Sequence, residues 1–203
     1  MRNAAIGIWL FGTMIGTGVA QQEGNPESGS GPDPAVVKRV EQLGGKVTPL
    51  ARNEEGLDVS FHLGRNREGI RQFEASESDG AKPPALDGEL SVLKELKNVR
   101  WLNLGGTDVT DKGLPHLKEL TSLTRLHLEK TAVSDAGLEY LSGLQDLTYL
   151  NLYQTAVTDS GLSHLQSLKK LKNLYLWQTE VTPAGVETLQ ESLPDCVINL
   201  GWD

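Results

Sequence analysis

Leucine returns every 24 residues through the second half of the chain, at Leu117, Leu141, Leu165 and Leu189. Two further series keep the same beat. One runs Leu102, Leu126, Leu150, Leu174 and Ile198; the other runs Leu104, Leu128, Leu152, Leu176 and Leu200. A fixed period of this length predicts a solenoid, because each short unit hides its apolar edge only against its neighbours. Such a stack offers a partner a ladder of side chains rather than a deep catalytic pocket.

Within each unit the remaining positions divide into structural roles. The L-x-L pair points inward from a short strand, and strands of successive units stack in parallel. Thr107, Thr131, Thr155 and Thr179 follow in a turn, where a hydroxyl satisfies backbone groups leaving the sheet. Val109, Val133, Val157 and Val181 re-enter the core. Thr110, Ser134, Thr158 and Thr182 stand where helix N-caps are expected. Asp111, Asp135 and Asp159 follow them, suited to a positive helix start, and Pro183 takes that place in the fourth unit. Gly113, Gly137, Gly161 and Gly185 recur where a β-carbon is expected to foul the adjacent coil. Leu114, Leu138, Leu162 and Val186 bury the convex helices. The expected class is α/β, with strands on a concave face and short helices on a convex one.

The first third of the chain is organised differently. Residues 1–20 read as a secretory signal: Arg2 begins it, an apolar stretch runs from Ala4 to Val19, and Gly18-Val19-Ala20 offers small residues for cleavage. The apolar stretch is shorter than the ~20 residues that span a bilayer. Membrane contact is therefore expected only through this segment if it stays uncleaved. Residues 21–34 are a Gly, Ser, Pro and Gln-rich tether. Residues 35–203 form the repeat domain, with a cap and irregular first repeat at 35–92 and regular repeats at 93–203. Val36, Val37, Val40 and Leu43 give Pro34 to Leu43 one apolar helical face, which Gly44-Gly45 ends. That helix is expected to cap the stack. Leu57, Val59, Phe61 and Leu63 alternate with polar residues as a half-buried strand does. Aligning Phe61 with Leu102 leaves an insertion, placed at residues 64–84.

Charge and cysteine content narrow the function. The formal charge of −8 over 203 residues disfavours nucleic acid, which needs clustered Lys and Arg, and it disfavours anionic lipid as well. Cys196 is the only cysteine, so no internal disulfide helps the leucines hold the coils. It reads as a small buried residue of the last repeat.

The stretch GLEYLSGLQDLTYLNLYQTAVTDSGLSHL resembles the leucine-rich repeats of exported bacterial proteins, especially those abundant in planctomycetes, and RVEQLGGKV resembles the lead-in often found before them. The resemblance covers about Val36 to Asp203. It implies a curved leucine-rich repeat solenoid with a protein-binding role and no catalytic residues. Thr stands here where Asn is usual in the commonest repeat. Similar T-x-V-T-D-x-G-L repeats occur in eukaryotic ubiquitin-ligase receptors behind an F-box, but an export signal and tether occupy that place here, so a ligase-like substrate receptor is not expected.

Residues flanking the inward leucines define three outward columns. These are Trp101, Arg125, Tyr149, Asn173, Val197; Asn103, His127, Asn151, Tyr175, Asn199; and Gly105, Glu129, Tyr153, Trp177, Gly201. Five aromatics gather on this face of a chain that is only 5% aromatic. Trp and Tyr give large contacts at little entropic cost and are frequent at binding hot spots. The candidate partner-binding residues are therefore Trp101, Arg125, His127, Glu129, Tyr149, Tyr153, Tyr175 and Trp177. The expected partner is another protein, with a glycan stacked on the rings as the alternative.

Catalysis finds little support. His62, His116, His127 and His164 lie in different units without metal-ligand spacing, and no cysteine cluster offers a zinc site. His116 and His164 share a convex position with Tyr140 and Thr188, which reads as surface. No G-x-S-x-G and no phosphate loop are present. No cofactor and no metal are expected, and the chain is expected to be a non-catalytic monomer whose last strand edge is partly covered by Trp202.

Overall fold

Period-two alternation in a strand, repeated at a constant 24-residue interval, forces like residues of successive coils opposite one another, and the strand register shows this directly. In the computed structural model, which describes residues 31–50, 55–61 and 86–201, Leu102, Leu126, Leu150, Leu174 and Ile198 pair across successive parallel strands. These strands are β3 (Val99–Asn103), β4 (Arg125–His127), β5 (Tyr149–Asn151), β6 (Asn173–Tyr175) and β7 (Val197–Asn199). The ladder runs on past each strand: Leu104 donates its N–H to the His127 carbonyl at 2.9 Å, and Leu128, Leu152 and Leu176 make the matching bonds one coil along. The signal segment, residues 21–30 of the tether, the 64–84 insertion, His62, Leu63 and Trp202 lie outside the described residues.

At the N-terminal end, helix α1 (Pro34–Gln42) starts at Asp33, whose carboxylate accepts the Ala35 N–H at 2.8 Å, and buries Val36 and Val40. A strand that the sequence reading did not anticipate follows, β1 (Lys46–Pro49). It pairs antiparallel with β2 (Leu57–Ser60), so the cap is a helix plus a hairpin arm on an otherwise parallel sheet. The first repeat also needs a correction in register. β2 pairs Val59, not Phe61, with Leu102, and Phe61 donates its N–H to Asn103 just as Leu104 does to His127. Both alignments put Leu57, Val59 and Phe61 inward, since a two-residue slip preserves the face. Alternation alone therefore could not choose between them.

The convex side is built from one-turn elements: α2 (Leu86–Glu89), α3 (Asp135–Leu138) and α4 (Asp159–Leu162), each short and most continued by a 3-10 turn, and a longer α5 (Pro183–Ser192). Between β3 and β4 the described turn is only 3-10, Leu114–His116, with Pro115 inside it. Beneath these elements lies one continuous core. It runs from Val36 through the leucine series to Leu193 and Cys196, and includes Leu120, Leu144, Leu168, Leu123, Leu147 and Leu171 in phase with the rest. Leu102, Leu126, Leu150 and Leu174 are fully buried.

What pins one coil to the next is a ladder of aspartates. Asp87, Asp111, Asp135 and Asp159 each accept two bonds from the following coil. One comes from the backbone N–H and one from the hydroxyl of Thr110, Ser134, Thr158 and Thr182 respectively, at 2.6–2.8 Å. The expected cap role is the weaker half of this arrangement. Thr110, Thr158 and Thr182 accept an N–H of their own turn only at 3.2 Å, and Ser134 caps nothing. Each aspartate is thus held less by its own helix start than by its neighbour, with two bonds to a charged acceptor. Pro183 cannot accept a hydrogen bond through its side chain, so the last link is Asp159–Thr182. The glycine column follows from the same geometry: a β-carbon on Gly113, Gly137, Gly161 or Gly185 would strike Oδ1 of the aspartate one coil back. Gly113 has φ −79°, so space and not backbone freedom demands glycine there.

The turn threonines behave as read from the sequence. Thr107, Thr131, Thr155 and Thr179 donate their hydroxyls to the carbonyls of Leu104, Leu128, Leu152 and Leu176 at 2.6–2.7 Å.

Candidate recognition face

A short strand shows every second side chain to solvent, and stacking in register brings those side chains into rows about one strand spacing apart, roughly 4.8 Å. The first outward row is Asp58, Trp101, Arg125, Tyr149, Asn173 and Val197; the second is Ser60, Asn103, His127, Asn151, Tyr175 and Asn199. At that spacing neighbouring aromatic rings must touch, and they do. The ring centroids of His127 and Tyr149 are 4.8 Å apart, and those of Tyr149 and Tyr175 are 5.3 Å apart, both pairs tilted. The Arg125 guanidinium lies over both Trp101 and Tyr149, with its central carbon 4.9 Å and 5.5 Å from the two centroids. Such contacts exploit the negative face of the ring.

The third row forms a separate stack. Tyr153 and Trp177 lie nearly parallel with centroids 5.0 Å apart, and Lys130 Nζ sits 5.5 Å from the Tyr153 ring. The row begins and ends in glycine because its large members lean outward over the ends. Glu129 lies over Gly105, and the Trp177 indole covers Gly201 so closely that a β-carbon there would overlap it. Trp177 nonetheless keeps 48% of its surface exposed, and among the described residues only Val197 is a comparably exposed large apolar side chain.

All eight candidate residues therefore lie on one face, but in two groups. Trp101, Arg125, His127, Glu129, Tyr149 and Tyr175 form a connected set, with His127 Nδ1 3.3 Å from Glu129 Oε2. Tyr153 and Trp177 form the other. Desolvation by burial pushes the Tyr149 hydroxyl above its ordinary pKa, aided by the nearby Tyr175 and Glu129.

Toward the N-terminal end the first group borders a hollow of about 280 Å³ lined by Asp58, Ser60, Trp101, Leu102, Asn103, Arg125 and His127. Asp58, Ser60 and Asn103 are the polar lining residues outside the candidate set, and Leu102 is the apolar one. The alternation of Leu57 and Val59 marks Asp58 and Ser60 as outward-facing, but aligning Phe61 with Leu102 sets Ser60 beside Trp101, whereas the sheet sets Asp58 beside Trp101 and Ser60 beside Asn103. Burial pushes the Asp58 carboxyl above its usual range, partly opposed by His127 and Lys46.

Other titratable groups sit apart from this face. His116 and His164 are half-buried on the convex side rather than fully at the surface, and Tyr140 packs against the core. Cys196 is buried at 4% exposure, and desolvation raises its thiol pKa to about 11. Among the described residues no group of three or more His, Cys, Asp or Glu is arranged to hold a metal ion. No described helix is long and apolar enough to cross a membrane.

Comparison with known proteins places the repeat. The leucine-rich repeat family model matches residues 119–142, one full period. No curated protein matches the chain. Similar solved structures include an internalin C2 from Listeria monocytogenes, 27% identical over 53% of this chain and 44% of that one, TM-score 0.46. They also include an internalin from the same organism, 26% identical over 54% of this chain and 30% of that one, TM-score 0.46. A leucine-rich repeat protein of Leptospira interrogans is 18% identical over 55% of this chain and 38% of that one, TM-score 0.34. The chain matches less than half the length of each. With its 24-residue coils, its parallel sheet on one side and its short helices on the other, the protein folds as a leucine-rich repeat solenoid.

Proposed function

We propose that the chain is a non-catalytic recognition module that holds another protein on the concave, strand-bearing face of its solenoid. Leucine-rich repeat proteins are generally recognition modules, and stacked repeats create extended concave binding surfaces. The observation that carries the reading is the parallel Tyr153–Trp177 stack, held in place over Gly201 yet with Trp177 about half exposed. A pre-ordered aromatic pair loses little entropy on binding, which is the property of a hot spot. The joined set from Trp101 to Tyr175 extends the same surface toward the N-terminal coils. Delivery across a membrane by residues 1–20 belongs to this proposal and rests on their composition alone.

The test is a quantitative binding measurement with a partner recovered from the native cell envelope. Trp177→Ala and Tyr153→Ala are each expected to weaken the complex by about 2 kcal/mol, the scale of a hot-spot truncation. Unchanged affinity in both variants would discard the reading. The mass of the protein recovered from the envelope tests export separately, since cleavage leaves Gln21 as its first residue.

A further inference from the structure

Arg125 projects from β4 into the first outward row of the face. Its guanidinium is pinned between the Trp101 and Tyr149 rings, and Arg125 is exposed. Among the described residues no carboxylate or carbonyl takes any of its N–H groups, whereas Arg39, Lys94, Lys170 and Lys172 each have an acidic partner. The two rings hold the guanidinium in place, and its N–H groups have no acceptor among the described residues. A fork so held loses little freedom when a carboxylate arrives in its plane, where two parallel bonds form.

The surroundings favour the same ligand group. Asn103 lines the hollow beside Arg125, and its Oδ1 is already committed to the Gly105 N–H at 2.9 Å. Its NH₂ has no acceptor among the described residues and is left to donate. His127 adds a ring nitrogen to the same lining, while Asp58 closes the far side with an acidic wall. Repulsion by Asp58 favours an incoming anion on the Arg125–Asn103 side. The net charge of −8 repels a polyanion as a whole. One acid set among uncharged residues suits these charges better than an acidic polymer.

We infer that Arg125 is the anchor for a single carboxylate of a peptide segment, whose apolar side chain packs on Tyr175, the ring joined to Arg125 through Tyr149. This rests on the concave-face reading above and names the partner chemistry of that face. Arg125 and Tyr175 stand two strands and two residues apart, a diagonal of roughly 12 Å at ordinary sheet spacing. An extended peptide covers that distance in about three to four residues. Because alternate side chains of an extended chain face opposite ways, the segment recognised carries Asp or Glu four positions from an aromatic or aliphatic residue.

The experiment is selection from a random peptide display library on the immobilised full chain, run in parallel on wild type, Arg125→Gln and Trp177→Ala. Wild type is expected to enrich peptides with that spacing. A selected peptide should bind Arg125→Gln at least tenfold more weakly, and replacing its acid by the amide should cost wild type a similar factor. Arg125→Lys, which keeps the charge but loses the fork, should fall between, and the thermal melts of both Arg125 variants should match wild type. Peptides selected with no acidic preference, or an acid dependence that survives in Arg125→Gln, would overturn the anchor. If such peptides still lost binding to Trp177→Ala, the concave-face reading would stand without it. Failure of wild type to select any peptide overturns both. Polygalacturonate, added as a competitor, should have no effect; Arg125-dependent binding of it in preference to every peptide would reassign the face to a glycan.

Discussion

A β-carbon on Gly137 would lie 2.5 Å from Oδ1 of Asp111, the oxygen that accepts the Ser134 N–H at 2.7 Å. The glycine of one coil thus makes room for the hydrogen-bonded acid of the coil before it. The other atoms that a β-carbon would meet there are side-chain methyls of Leu114 and Val133. Asp111→Ala leaves the Ser134 N–H and hydroxyl without their acceptor, at a cost of about 1–3 kcal/mol. Gly137→Ala should destabilise by a similar amount in the wild-type background and by clearly less when Asp111 is already Ala. Urea denaturation of the four proteins checks this, since residues in contact give a non-additive cycle. Strict additivity would mean that the two positions do not share this space.

Leu150 sits at the middle of the stack with no exposed surface. Leu150→Ala should lose about 2–5 kcal/mol, through lost burial and the cavity left behind. A chain with one thiol has no disulfide to offset this, so the loss should appear directly as a lower urea midpoint.

Cys196 is held as a neutral thiol, with its pKa raised by burial to about 11 from 9.0. Because the folded pKa lies above the unfolded one, the unfolded chain ionises first as pH rises. Stability is therefore expected to fall between about pH 9 and pH 11. Cys196→Ala removes this one contribution, so the stability difference between variant and wild type should shift in the variant's favour across that window. At pH 8 the native thiol should react with a disulfide reagent far more slowly than the urea-unfolded one.

Asp58 is also raised, from 3.8, chiefly by desolvation. Folding there favours the protonated carboxyl, so the penalty of its charge is present above the unfolded pKa and vanishes below it. Asp58→Asn should be at least as stable as wild type at pH 7, with any advantage disappearing as pH falls below about 3.8. A variant less stable than wild type at pH 7 would show that the ionised form has favourable partners in the fold.

Much of the fold could be read before any coordinates. The 24-residue beat identified which leucines face inward, and the residues between them, from Trp101 to Trp177, were outward by alternation alone. The recurring glycine was recognised as a steric position without its contact being known. That contact is between coils, so Asp111 looked like a helix-start charge and Ser134 like a cap. Asp87 was missed altogether, although it keeps the 24-residue interval from Asp111 and makes the same two bonds. It lies ahead of the strand leucines that mark the beat, which start at Leu102 and Leu104. The strand Lys46–Pro49 has too few alternating residues to announce itself, and its pairing with Leu57–Ser60 depends on the hairpin.

By itself, then, the sequence determined the architecture, because a repeat leaves each coil only its neighbours to bury against, and periodicity is a one-dimensional property. The tertiary structure decided everything that depends on distance between coils. It set whether Val59 or Phe61 meets Leu102, which acceptor each threonine finds, and that Arg125 lies between two rings with no acceptor for its N–H groups among the described residues. Those outcomes follow from side-chain reach across a sheet spacing, a quantity that no order of residues along one chain contains.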